Sequence, residues 1–194
     1  MIKLFKIILS TSILIAFASH AETSSDDMLK QIQERAAKVK QFKELLNNPD
    51  QTIRVSALDV MLKSNDQVMR ELAFNQGFSS ADAAMNAIAL KNKINYMQQL
   101  NFTLKLTDNP TEEEKKSITE YYSNKYSIQI SEYDLNTGSF TFRAGKGQVS
   151  GAQVSTQYSA GTRCSSNSRL SDSALLKGTL KCSNGNYLME LQLQ

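Results

Sequence analysis

Between residues 41 and 94 the apolar positions recur at a sixteen-residue interval. Ile53, Met69 and Met85 fall in one column, Ala57, Ala73 and Ala89 in a second, and Leu58, Phe74 and Leu90 in a third. Leu46, Leu62, Phe78 and Ile94 share a fourth. Each unit thus offers apolar groups at i, i+4, i+5 and i+9, the spacing of one helical face. The start signals repeat as well. Asn48, Ser64 and Ser80 stand at the expected N-caps, each followed two residues on by Asp50, Asp66 or Asp82. Such side chains accept hydrogen bonds from free first-turn N–H groups, and the Asp charge suits the positive end of the helix dipole. Gly77 before Phe78 reads as a left-handed C-cap. Upstream, residues 24–46 form an amphipathic helix with Met28, Ile32, Val39, Phe42 and Leu46 on its apolar side, suited to capping the first unit.

From Leu100 the period changes to two. Phe102, Leu104 and Leu106 alternate as in a strand. After Pro110, Asn109 or Thr111 can cap a short helix whose first turn holds Glu112 to Glu114 and whose buried side holds Ile118, Tyr121 and Tyr122. Strand patterns follow over 126–133, 139–144, 148–158, 175–182 and 187–193, separated by turn signals at Asn136-Thr137-Gly138, Gly145-Lys146-Gly147 and Asn184-Gly185-Asn186. Residues 159–173, SAGTRCSSNSRLSDS, read as a long polar loop. Glycine usage marks the same change of grammar, since seven of the eight glycines lie at or after Gly138. The predicted fold is α+β: a solenoid-like helical repeat segment over 22–99, then a small antiparallel β domain over 100–194, sandwich or half-barrel, with one helix and one disulfide.

In their D-x-x-[IM]-R entry, Asp50 to Arg54 and Asp66 to Arg70, and in the small Ala column, residues 41–94 resemble short helical repeats of the HEAT or armadillo kind. The resemblance implies stacked units that cover one another's apolar faces and a surface that serves protein binding.

The first 21 residues change the functional picture. Lys3 and Lys6 precede an apolar run from Ile7 to Phe17, and Ser19 and Ala21 supply small residues at a cleavage site. The run is shorter than the ~20 apolar residues that span a bilayer. Cleavage after Ala21 and a periplasmic or secreted location are therefore expected, with no transmembrane segment left. Removal of residues 1–21 takes away two Lys and no acid, so 22 basic residues become 20 against 19 acidic, a net of +1. A nearly neutral chain offers no concentrated basic face, so nucleic acid is not an expected partner.

The only histidine, His20, leaves with the leader, and with it the commonest general base and metal ligand. Cys164 and Cys182 remain, and in an oxidising compartment an even pair reads as a disulfide; a nucleophilic Cys lacks the His that would lower its pKa. No S-x-x-K or G-x-S-x-G occurs. GKGQVSG, residues 145–151, lacks the order of a nucleotide loop and reads as a hairpin turn. EYDLNTGS, residues 132–139, lacks the distal Glu of a calcium loop and reads as a D-x-N-x-G turn.

The expectation is a non-enzymatic binding protein with no metal or cofactor. Its partner is another envelope or periplasmic protein, in the role of adaptor or immunity-type inhibitor, with Arg54 and Arg70 as candidate contacts at equivalent repeat positions. The alternative is glycan or peptidoglycan binding by the β domain, with Tyr158 and Tyr187 available for stacking. A cell-wall hydrolase using two carboxylates is a further alternative, although no sequence feature pairs any two of them.

Overall fold

The computed structural model describes residues 24–171 and 174–194. The expected leader over residues 1–21, His20 with it, lies outside the described residues. The described chain forms two units, one ending at Lys38 and the other running from Val39 to Gln194. The first helix, α1 (Ser25–Leu46), begins in the former and ends in the latter. Met28 and Ile32, expected on its buried side, are exposed; its apolar side is covered only from Val39, with Leu46 fully buried.

Three further helices carry the sixteen-residue repeat: α2 (Gln51–Leu62), α3 (Gln67–Ser79) and α4 (Ala83–Met97). All four apolar columns contribute to their packing, and Leu58, Ala73, Met85, Ala89, Leu90 and Ile94 have essentially no exposure. The N-caps themselves are Asp50, Asp66 and Asp82, whose carboxylates accept from Thr52, Val68 and Ala84 N–H. Asn48, Ser64 and Ser80 sit two residues further out, each accepting from the backbone N–H of its own Asp. Gly77 is not a C-cap. It lies inside α3, where a Cβ would stand 2.5 Å from the Ala89 Cβ, so its bareness sets the close approach of α3 and α4.

The left-handed Gln98 (φ 54°) ends α4 and turns the chain into β1 (Gln99–Leu106). Helix α5 (Glu112–Glu120) follows, capped by Thr111 in a full capping box with Glu114. Ile118 is buried as expected, but Tyr121 is exposed. The remaining strands are β2 (Lys125–Gln129), β3 (Glu132–Asp134), β4 (Ser139–Phe142), β5 (Gly145–Ser150), β6 (Gln153–Tyr158), β7 (Cys164–Leu170), β8 (Leu175–Cys182) and β9 (Gly185–Gln192). They make one antiparallel nine-stranded sheet in the order β2-β1-β9-β8-β7-β6-β5-β4-β3.

That order forces the sheet to curl into a half-barrel. Laid flat, its two edges would lie roughly 38 Å apart at ~4.8 Å per strand. Yet β2 and β3 are joined by Ile130 and Ser131 alone, which reach at most about 10 Å. Ile130 N–H still bonds Gln98 O beside one edge, while Ser131 N–H bonds Thr141 O beside the other. The single strand expected over 126–133 is therefore a handover between opposite ends of the sheet.

The core lies inside the curl and continues into the helices. Phe140 and Phe142 lie against Gly147 and Gly145, their partners in the β4–β5 register; a Cβ on Gly147 would meet the Phe140 ring at 2.1 Å. The GKG stretch is thus strand rather than the expected turn, and the chain reverses at Arg143 and Ala144 instead. Likewise 148–158 is two strands around a turn at Gly151-Ala152, and residues 164–170 of the supposed polar loop 159–173 are strand β7. Its inward Ser166 and Ser168 are buried because they find partners: Thr156 Oγ1 at 2.6 Å and Val154 O at 3.3 Å.

Candidate binding surfaces

The two repeat arginines face inward, onto their own turns. Arg54 donates to Asn48 O (2.8 Å) and Pro49 O (2.9 Å), Arg70 to Ser64 O (2.6 Å), and Asn86 in the same column to Ser80 O (2.7 Å). In each unit a side chain four residues after the Asp reaches back to satisfy a turn carbonyl that the helix cannot. Arg54 also pairs with Asp82 at 2.7 Å, joining the turn before α2 to the cap of α4, and Arg70 lies over the Tyr96 ring at 5.8 Å. The D-x-x-[IM]-R motif therefore builds the repeat, and charge reversal at either Arg would disturb the turns rather than test a contact.

This pairing carries a pH dependence. The Arg54 guanidinium first, and then the Gln51 amide, hold the Asp82 carboxyl down at about 2. A carboxylate depressed by folding contributes stability above its unfolded pKa, near 4, and loses it as pH falls through the folded value. Arg54→Ala is expected to cost about 2 kcal/mol at neutral pH. The deficit should shrink between about pH 4 and pH 2. Urea melts at successive pH values read this directly, and a deficit that stays constant through that window would contradict it.

Tyr187 is fully buried and donates to Asn184 O, so it offers no stacking face; it belongs to the inner side of β9. Tyr158, half-buried, joins Tyr121, Tyr122 and Tyr126 around a pocket of ≈ 220 Å³ beside Cys164, at one end of the curl. Burial pushes the Tyr122 phenol up to about 12 and raises that of Tyr126, so both stay protonated donors at physiological pH. The sequence spreads these four tyrosines over the two residues after α5, β2 and β6, and only the handover from β2 to β3 brings them together.

Glu114, in the first turn of α5, is buried. Its second carboxylate oxygen accepts from Asn186 N–H at 2.7 Å, anchoring α5 to the start of β9. Backbone bonds from Thr111 and then Asn186 hold its carboxyl below the usual range.

Two larger hollows were not legible in the sequence. An apolar groove of ≈ 360 Å³ lies between the end of α1 and α2, where Leu45, Ile53 and Val60 are left exposed beside Phe42. A trough of ≈ 690 Å³ crosses the outer face of β3 to β7. The register lines it with two rows: Glu132, Thr141, Lys146, Gln157 and Ser165, and beside it Asp134, Ser139, Gln148, Ser155 and Asn167. The residues between the rows, such as Phe140 and Thr156, turn inward and leave backbone as the floor. Glu132 and Asp134 share this face, but Asp134 accepts from Asn136 N–H, Thr137 N–H and Thr137 Oγ1. The Thr137 hydroxyl leads in lowering its pKa, the setting of a turn anchor rather than a proton donor.

Cys164 and Cys182 form the expected disulfide, across directly paired positions of β7 and β8. Among the described residues no group of three or more His, Cys, Asp or Glu side chains could hold a metal ion, and no helix is long and apolar enough to cross a membrane. No family model matches the chain, and neither a curated protein nor a solved structure matches it.

Proposed function

We propose that this is an exported, non-enzymatic protein-binding module of the bacterial envelope, an adaptor or immunity-type inhibitor that acts in the periplasm after cleavage at Ala21. The observation that carries the reading is the apolar groove: Leu45, Ile53 and Val60 lie together on the helices, uncovered within the described chain. Apolar side chains grouped in a concave surface favour association, whereas scattered ones are ordinary. The helical segment acts in this reading as a short solenoid of the HEAT or armadillo kind. Its repeated turns supply rigidity, and the groove between the end of α1 and α2 supplies the contact.

Affinity capture from a native envelope extract tests this, with residues 22–194 oxidised at Cys164 and Cys182. One stoichiometric protein is expected, and Ile53→Glu with Val60→Glu should reduce its recovery at least tenfold while leaving the thermal melt unchanged. Recovery of the same protein undiminished by the two substitutions would place the contact elsewhere.

A second reading, glycan binding by the β domain, is favoured by the tyrosine pocket and by the neutral amides and hydroxyls of the trough. Under it, cell-wall fragments are recovered instead, and Tyr158→Ala or substitutions in the trough weaken their retention.

A further inference from the structure

We infer that the trough across β3 to β7 is a binding site for an extended, largely uncharged polyhydroxylated chain, a linear glycan laid across the strands. This rests on the glycan reading and goes further by choosing the trough over the tyrosine pocket and naming the form of the ligand.

The dimensions favour a chain over a single sugar. Five strands give the trough a run of about 19 Å, and residues two apart along each strand set its side-chain rows roughly 7 Å from one another. The walls are also partly fixed before any ligand arrives. Asp134 is held by its turn, Thr137 Oγ1 lies 2.8 Å from Ser139 Oγ, and Gln148 Nε2 donates to Thr137 O at 2.7 Å. Ordering these side chains on binding therefore costs little.

The remaining wall groups have capacity to spare. Thr141, Gln157, Ser165, Ser155 and Asn167 make no side-chain hydrogen bond among the described residues, though each both donates and accepts. Paired donor and acceptor groups at strand spacing match a chain bearing successive hydroxyl and amide groups.

Charge and apolar content narrow the ligand class. Lys146 sits in the middle of one row, with Glu132 at its end and Asp134 at the end of the other, so the walls are weakly negative and a polyanion gains nothing from the trough. A folded protein partner would use buried apolar or aromatic anchors. None is presented here, because Phe140 is turned into the core and Tyr133 stacks on it at 6.1 Å.

The test maps amide and side-chain shifts of the isotope-labelled, oxidised protein on titration with soluble linear glycans: N-acetylglucosamine oligomers, cello-oligosaccharides and solubilised cell-wall strands. Shifts are expected at Ser155, Gln157, Ser165 and Asn167, with affinity rising as the oligomer lengthens. Ser155→Arg with Asn167→Arg fills the trough from outward positions and should weaken binding at least tenfold with an unchanged melt. Shifts confined to Tyr121, Tyr126 and Tyr158 would overturn the trough while keeping the glycan reading. Absence of shifts anywhere with all three glycans would overturn both. Stronger binding of polyphosphate than of any glycan would overturn the assignment of ligand class.

Discussion

Replacing Gly178 with alanine is expected to destabilise the protein by about 3 kcal/mol, at the upper end of what overpacking a core costs. Its Tm should fall by about 10 °C. Gly178 lies in the middle of β8, opposite Ser168 on one side and Met189 on the other. A Cβ there would stand 2.0 Å from Asn167 O and 2.5 Å from Ser168 Cα. Both atoms belong to backbone already committed to the sheet, so no side-chain rotation relieves the clash. The contrasting position is Gly151, at φ 56° with open space around the same hypothetical Cβ. Alanine there meets only the left-handed penalty, about 1 kcal/mol. Melts of the two variants side by side separate crowding from backbone preference. A Gly178→Ala protein as stable as Gly151→Ala would show that β7 and β8 can move apart at little cost.

Opening the disulfide should have an effect of similar size. Cys164 and Cys182 are 18 residues apart, and releasing a loop of that length costs about 3 kcal/mol in the chain-entropy account. Cys164→Ser with Cys182→Ser, or reduction of the native pair, should therefore lower the denaturant midpoint clearly. The loss should also be felt locally. Cys164 lines the tyrosine pocket, and the Tyr122 hydroxyl lies 3.8 Å from its sulfur and donates to Asn184 just beyond Cys182. Tyrosine fluorescence should thus change at lower denaturant than far-UV circular dichroism once the bond is open. Coincident transitions would show that the sheet end holds without it.

Where side chains alternate cleanly between water and core, the sequence reveals the fold. β9 is the plainest case, with Tyr187, Met189 and Leu191 inward and their neighbours outward, a pattern that Leu193 continues just past its end. The repeated Asp caps are another, since a short acceptor before an apolar helical face has few other uses. The pattern fails where neighbouring strands fill the interior on behalf of the strand being read. Gly145 and Gly147 look like a turn because Phe142 and Phe140 occupy their inner side, and β7 looks like a loop because Ser166 and Ser168 are satisfied by hydrogen bonds. The candidate surfaces follow the same logic. The tyrosine pocket and the trough depend on which strands become neighbours across the curl, a long-range fact that local spacing does not carry. Arg54 and Arg70 were legible as a repeated feature, but the carbonyls they satisfy emerge only with the turns.

The position of β9 bears on how this chain reaches its folded state. It is the last strand in sequence order, yet it lies between β1 and β8, pairing Thr103 with Glu190 and Leu104 with Met189. Without it, the antiparallel pair of β1 and β2, joined through α5, and the meander of β3 to β8 are unfinished pieces, each exposing apolar residues meant for the common interior. Pairings between segments so distant in sequence are slow to form, because the entropy of closing the loop is lost before the contacts are gained. For a chain built this way the expected order is helices first, through their local contacts, with the sheet completed when β9 inserts between β1 and β8.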